Sequence, residues 1–217
     1  MSENGSALDD DMRNRMRTAY DAMAEARDRK EFPDWKRDVR ESFLGVLHRE
    51  GRTRLLEIGA GTGRDSAFFA EHGLDVVCAD LSPEMVRLCR EKGLDAQAMD
   101  VVDLRFPDGA FDAVYSLNSF LHLPESEFLR ALREVRRVLQ PGGIFFLGVY
   151  GGIDREGVWE EDAYEPKRFF SFRTDERLLE AVGGVFDVVS FDRVAVEAAD
   201  PRFHFQSLIL RKRGRSG

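Results

Sequence analysis

Between Thr53 and Tyr150, short apolar runs alternate with amphipathic helical patterns, and this alternation restricts the chain more than any other feature. TRLLEIG (53–59), LDVVCAD (74–80), LDAQAMD (94–100), FDAVYSLNSF (111–120) and GIFFLGVYG (143–151) read as strands. RDSAFFAEHG (64–73), SPEMVRLCREKG (82–93) and EFLRALREVRRVL (127–139) read as helices, with Ser82 as N-cap and Pro83 in the first helical position of the second. Strictly alternating strands and helices predict a parallel sheet covered by helices on both faces. The segments GLDVVCAD and GLDAQAMD each open on Gly-Leu-Asp and close on a carboxylate. They read as two successive turns of one doubly wound sheet, ending in Asp80 and Asp100.

The flanks differ. From Asp9 to about Lys30 the pattern is helical, with Met12, Met16, Tyr20 and Met23 on one stripe. A second helix runs from Pro33 to Arg49 and is closed by Gly51. After Tyr150 comes a long polar stretch, GGIDREGVWEEDAYEPK, then a short strand RFFSFR and a helix capped by Thr174. Two strands, FDVVSFDRVAVEA and FHFQSLILRKR, end the chain with no helix between them, so they must pair antiparallel. No linker divides the chain, which reads as one domain over 1–217: a helical segment at 1–50, a core at 51–150, and an insertion with the last strands at 151–217.

Gly59, Gly61 and Gly63 fall directly after the first strand, where ligands of open α/β sheets bind. Their spacing is G-x-G-x-G. It is neither the G-x-G-x-x-G of dinucleotide folds nor a P-loop with its Lys-Ser/Thr. Glu57 precedes the loop, and a carboxylate there suits a ligand carrying an amino group better than a pyrophosphate. Asp80 ends the second strand, where a carboxylate accepts hydrogen bonds from ribose hydroxyls. Asp100 is placed to receive a purine's exocyclic amine, with the Val101 N–H toward a ring nitrogen. Asp65 is expected to cap the following helix and Arg64 to pair with a carboxylate.

Taken together, Glu57-x-Gly59-x-Gly61-x-Gly63, Asp80, Asp100-Val101, FDAVYSLNSFLHL and Pro141-Gly142-Gly143 resemble the class I S-adenosylmethionine-dependent methyltransferases. The similarity is to their small-molecule, menaquinone-biosynthesis-like (type 11) branch and spans roughly Thr53 to Tyr150. It implies a Rossmann-like seven-stranded sheet in the order 3-2-1-4-5-7-6, with strand seven antiparallel and a helical N-terminal lid. It further implies that S-adenosyl-L-methionine is the cofactor, leaving as S-adenosyl-L-homocysteine. Gly59, Ala60, Gly61 and Gly63 would line its methionine part, with Glu57 behind the amino group. Asp80 would hold the ribose, Leu81 and Met85 would wall the adenine slot, and Asp100 and Val101 would read the adenine edge. Leu117 and Asn118 would offer backbone groups to the methionine moiety. Tyr20, in TAYDAMAEA, resembles a lid tyrosine whose hydroxyl reaches the cofactor's carboxylate.

Methyl transfer from a sulfonium is an in-line displacement of an activated leaving group, so positioning and exclusion of water carry most of the catalysis. No metal cluster and no catalytic triad are evident or required. His122, just past the fourth strand, is the candidate base, with a loop-holding role as the alternative, and Tyr150 points toward the same edge. Trp159, Tyr164, Phe169, Phe170 and Phe172, with Arg168 and Arg173, are expected either to line an acceptor pocket or to pack the insertion onto the sheet. A pocket would suit a small aromatic or carboxylate-bearing acceptor.

A formal net charge of −8 argues against nucleic acid as partner. The basic tail Arg211-Lys212-Arg213-Gly214-Arg215 reads as a solvated terminus. Absence of a long apolar run and a charged N-terminus predict no membrane span and no secretory signal. Cys78 and Cys89 read as buried thiols, consistent with a reducing cytoplasm, in a monomer or homodimer. The alternatives are a peptide or RNA methyltransferase, a nicotinamide-dependent Rossmann oxidoreductase, and a binding-only relative.

Overall fold

The computed structural model describes residues 3–31, 33–198 and 200–214, with 3–9 as helical backbone. In chain order the elements begin with α1 (Glu3–Arg29), α2 (Asp34–Arg49), β1 (Arg54–Ile58), α3 (Arg64–Glu71), β2 (Asp75–Asp80), α4 (Pro83–Glu91) and β3 (Asp95–Ala98). They continue with β4 (Phe111–Leu117), a 3-10 turn at Phe120–His122, α5 (Glu125–Val138) and β5 (Leu139–Gly151). The last elements are β6 (Arg155–Val158), β7 (Phe169–Phe172), α6 (Asp175–Gly183), β8 (Asp187–Ala195) and β9 (His204–Arg211).

Seven strands form one sheet in the order β3-β2-β1-β4-β5-β9-β8. The first five pair in parallel, and β9 is antiparallel to both neighbours. This is the expected Rossmann-like order, with β8 and β9 as its sixth and seventh strands. The strand RFFSFR does not join it: β7 pairs antiparallel with β6 in a separate hairpin inside the insertion. Sequence pattern showed β7 but not its partner, because Arg155–Val158 (REGV) has no apolar alternation.

Strand side chains alternate between faces, and each face is buried by different helices. Leu56, Val114, Phe145 and Leu147 pack against Phe128, Leu132 and Val135 of α5 and Leu178 and Val182 of α6. On the other face Leu55, Val76, Tyr115 and Phe146 meet Phe69 of α3 and Phe43, Leu44 and Leu47 of α2. α4 begins as expected, with Ser82 Oγ accepting from Met85 N at 3.1 Å. Thr174 likewise caps α6, accepting from Arg177 N at 3.4 Å. α3 differs. Gly63, in a left-handed conformation, stands at its N-cap, and Asp65 is drawn inward to pair with Arg40 at 3.2 Å. Arg64 makes no ion pair with a carboxylate among the described residues; its Nη2 donates to the carbonyls of Arg27 and Asp28 at the end of α1.

Both cysteines are free and buried. The basic tail is held on the fold rather than solvated. Arg211 pairs with Glu50 at 2.6 Å, Lys212 Nζ donates to Leu139 O at 2.6 Å, and Arg213 pairs with Asp187 at 2.8 Å. Arg215 lies outside the described residues. Among them, no helix is long and apolar enough to cross a membrane.

Candidate functional site

The carboxyl ends of β1, β2, β3 and β4 open into one cavity, and α1 lies across it. About 940 Å³ of space free of protein atoms lies here, open solvent at the mouth included.

The glycine loop forms its floor. Gly59 has φ +69°, and a Cβ there would lie 2.4 Å from the Cβ of Ser119, so this position needs both the left-handed backbone and the missing side chain. Gly59 N donates to Ala79 O at 2.8 Å, tying the loop to β2. At the tip of β2, Asp80 Oδ2 accepts from Gly61 N at 2.8 Å and Oδ1 from Ser82 N at 2.9 Å. Each oxygen keeps a second lone pair toward the cavity. Burial raises the Asp80 pKa to about 6, against the pull of these two N–H donors.

Asn118 ends β4 at φ +58°, with its N–H on Gly148 O at 2.7 Å. Its Oδ1 is buried without a hydrogen-bond partner among the described residues. A buried acceptor without a donor is costly, and a ligand N–H or O–H in the cavity would satisfy it. Opposite, Asp100 Oδ1 accepts from Val102 N at 3.0 Å while Oδ2 accepts from Arg13 Nε of α1 at 2.6 Å.

Tyr20, Gly59, Gly61, Asp80, Leu81, Met85, Asp100, Val101, Leu117, Asn118 and His122 all line this cavity. Glu57, Ala60, Gly63 and Tyr150 do not. Glu57 is 3% exposed and its carboxylate accepts from Ser66 Oγ of α3. Burial, reinforced by the nearby Asp65 carboxylate, pushes its pKa well up. Ala60 belongs to a small cluster with Cys78, Val86, Cys89 and Ala96. Gly63 instead makes room for its packing neighbours, since a Cβ there would lie 2.7 Å from Leu94 Cδ1 and 2.9 Å from Cys89 Sγ. Tyr150 stacks on Phe203 (5.6 Å, 10° between planes) and packs edge-on against Trp35 and Phe205.

His122 is held at both nitrogens. Nδ1 lies 2.7 Å from the carbonyl of Phe169, which can only accept, so Nδ1 carries the proton. Nε2 therefore accepts from the Tyr20 hydroxyl at 2.6 Å. Burial drives the His122 pKa down to about 3, helped by the positive charges of Arg168 and Arg27. A ring so engaged is a poor general base, contrary to the expected role. Tyr20 is correspondingly turned to His122, and its oxygen also accepts from Arg168 Nη1 at 3.2 Å.

The aromatic residues of the insertion do not line the cavity but pack beside this pair. The Arg168 guanidinium sits 3.6 Å from the Tyr164 ring centre and is clamped by Asp162 through two 2.8 Å bonds. Trp159 packs edge-on against Phe170 and Phe172, and Phe169 is buried. Arg173 is buried under Phe128 and pairs with Glu125 at 3.0 Å.

Sequence reasoning missed several cavity residues: Met12, Arg13 and Met16 on α1, Arg27 near its end, and Glu127 at the start of α5. The methionine stripe was visible as an apolar helix face, but nothing in one dimension says which helix it meets. Asp21, next to Tyr20, accepts from Ser82 Oγ at 2.5 Å and so pins α1 to the start of α4.

Residues 56–147 match the sequence family described as Methyltransferase domain. Over 161 residues the chain is 29% identical to 27-O-demethylrifamycin SV methyltransferase of Amycolatopsis mediterranei, covering 70% of this chain and 54% of that protein. Over 98 residues it is 40% identical to demethylmenaquinone methyltransferase of Thermus thermophilus, covering 42% and 44%. The chain thus spans about half the length of these curated relatives. Among solved structures, 1,6-didemethyltoxoflavin-N1-methyltransferase of Burkholderia thailandensis, with bound S-adenosylhomocysteine, superposes with a TM-score of 0.72 at 22% identity. That likeness covers 94% of this chain and 90% of the other and bears on fold.

Proposed function

The chain belongs to the class I S-adenosylmethionine-dependent methyltransferases, type 11 branch, and on that premise we propose that it methylates a small molecule by in-line displacement. The observation that carries the reading is the cavity itself, in which Asp80, Asn118 and the glycine loop converge beneath α1. When bound, the cofactor supplies a methyl group already activated on a sulfonium. Asp80 accepts from the ribose hydroxyls, Leu81 and Met85 wall the adenine slot, and Asp100 and Val101 read its edge. Gly59 and Gly61 admit the amino-acid moiety close to the backbone, and Asn118 Oδ1 gains the donor it lacks. These groups fit an amino-acid-bearing nucleoside in shape and in donor–acceptor character.

Glu57, Ala60 and Gly63 support this surface from behind. Glu57 and Ser66 fix the start of α3, and Ala60 and Gly63 let the loop pack on α4. The chemistry asked of the chain is positioning and exclusion of water, which α1 provides by closing over the strand ends. Proton removal by His122 is not part of the proposal, since its only free lone pair is taken by Tyr20. The acceptor is expected beside Tyr20 and His122, with Trp159, Tyr164, Phe169, Phe170 and Arg168 packed behind that pair. An aromatic or carboxylate-bearing acceptor suits that neighbourhood.

The rifamycin and demethylmenaquinone methyltransferases carry small-molecule acceptors in their names, which supports this class over peptide or RNA. Calorimetric titration with S-adenosylhomocysteine and with NAD tests the premise. Binding of S-adenosylhomocysteine and not NAD is expected; micromolar binding of NAD alone overturns it.

A further inference from the structure

One side chain of α1 ties together three elements around the cavity. Arg13 Nε donates to Asp100 Oδ2 at 2.6 Å, its Nη2 donates to Glu127 Oε1, and its Nη1 donates to Asp10 Oδ1 at 3.0 Å. Arg13, Asp100 and Glu127 all line the cavity. Glu127 sits in the first turn of α5 with its side chain 7% exposed. Among the described residues, its carboxylate has no hydrogen-bond donor besides Arg13.

The two halves of α1 are attached very differently. From Met16 onward the helix is held by several independent contacts. Met16 Sδ accepts from Phe169 N, Tyr20 bonds His122, Asp21 bonds Ser82, and the carbonyls of Arg27 and Asp28 accept from Arg64. Tyr20 and Ala24 also pack on Met85 and Leu88 of α4. Before Met16, the polar ties across to the body of the protein, among the described residues, are Arg13 and a long 3.5 Å contact from Arg15 to the Lys167 carbonyl. This leading segment covers the Asp100 end of the cavity.

On the premise that the cavity holds S-adenosylmethionine, we propose that Arg13 is a latch. It holds the leading half of α1 over the adenine end and gates cofactor entry and release. Lifting that segment breaks both carboxylate bonds at once, which makes opening costly and infrequent. An adenine amine reaching Asp100 Oδ2 competes with Arg13 for the same oxygen. Arg13 then bears on Glu127 alone, so the latch and the cofactor's purine are coupled through one carboxylate. Arg13 is a gating and positioning residue; it takes no part in the transfer step.

The test has one readout without cofactor and one with it. In the cofactor-free protein, hydrogen exchange of the amides at 10–16 is compared between wild type, Arg13→Gln and Arg13→Lys, with 17–29 as internal reference. In stopped flow, release of S-adenosylhomocysteine is followed by tryptophan fluorescence. The latch predicts faster exchange at 10–16 with 17–29 unchanged, and release faster by roughly tenfold in Arg13→Gln. Arg13→Lys, which keeps the charge but lacks the guanidinium's planar two-sided donor geometry, should fall between. Glu127→Gln guards against misfolding of the Arg13 variants, and should speed release while Arg13→Gln adds little on top of it. Unchanged exchange at 10–16, or release within about twofold of wild type in both Arg13→Gln and Glu127→Gln, overturns the latch. If exchange accelerates but the wild type binds no S-adenosylhomocysteine, the gating of this cofactor falls together with the functional premise. If S-adenosylhomocysteine binds and neither readout moves, the premise stands and the latch alone fails.

Discussion

The Tyr20 hydroxyl donates to Nε2 of His122 across 2.6 Å, joining the lid helix to the turn after β4. Tyr20→Phe leaves that nitrogen buried without a donor and should cost about 1–3 kcal/mol. Urea unfolding of the variant would measure it, and an unchanged midpoint would contradict the assigned tautomer.

His122 also sets a pH dependence. Its native pKa is depressed from 6.5 to about 3, so across that window the unfolded chain binds a proton that the native ring refuses. Stability should therefore be intact above about pH 6.5 and fall as pH is lowered toward 3, by up to about 1.4 kcal/mol per unit from this group. Unfolding free energies of wild type and His122→Gln, compared across that window, should converge as pH falls. Parallel curves would refute the depressed pKa.

Gly59→Ala should lower both melting temperature and affinity for S-adenosylhomocysteine. The substitution meets Ser119 at 2.4 Å and asks a non-glycine residue to hold φ +69°. The backbone component alone is about 1–2 kcal/mol. Adding Ser119→Gly removes the collision but not the strain, so the double variant should recover only part of the loss. Full recovery would mean that the left-handed backbone is unimportant there.

Asp80→Ala should weaken S-adenosylhomocysteine binding by about 1.5–3 kcal/mol through loss of charged hydrogen bonds. Burial raises the Asp80 pKa from 3.8 to about 6, so in the unliganded protein the native state keeps a proton that the unfolded chain has lost. The sign is therefore the reverse of His122: the Asp80 contribution to stability declines as pH rises from about 4 to about 6. An ionised carboxylate is the stronger acceptor, so affinity should increase over the same rise. Calorimetry at about pH 5 and pH 7 checks this, and equal affinities at both would remove Asp80 from ribose recognition.

Arg168→Ala strips the buried Asp162 carboxylate of its two-bond partner and should loosen the insertion by about 3–5 kcal/mol. The seven-stranded core is untouched, so the loss should appear as faster hydrogen exchange in 154–172 with the β1 and β4 amides still protected. Uniform acceleration across the chain would show that the insertion is not a separable unit.

Much of the fold was legible because its signals are local. Ser82-Pro83 and Thr174 start helices through bonds made within one turn, and β1, β2, β4 and β5 are carried by short apolar runs. The two adjacent last strands announce their antiparallel pairing by having no room for a crossover. The misreadings of Asp65 and the basic tail involve partners distant in sequence. Asp65 has the right residue type to cap α3, yet Arg40 of α2 draws it away. The β6–β7 hairpin was half invisible because REGV carries no apolar period. The basic tail looked like a solvated terminus, but Glu50, Leu139 O and Asp187 wait for it on the fold.

The same division runs through the site. By itself, the sequence determined the glycine loop, the carboxylates closing β2 and β3, and hence the edge of the sheet at which a nucleoside-bearing cofactor would bind. Those are consequences of strand ends and turn chemistry, which are written in consecutive residues. Only the tertiary structure decided which polar groups face the cavity and in what state. Packing of α1 across the strand ends turned Tyr20 onto His122 and placed Arg13 between Asp100 and Glu127, while α2 and the start of β9 hold Tyr150 among Trp35, Phe203 and Phe205. Burial beneath α3 raised the pKa of Glu57 and turned its carboxylate to Ser66. Protonation and partnership depend on desolvation and on neighbours brought from afar, and neither is encoded in spacing along the chain.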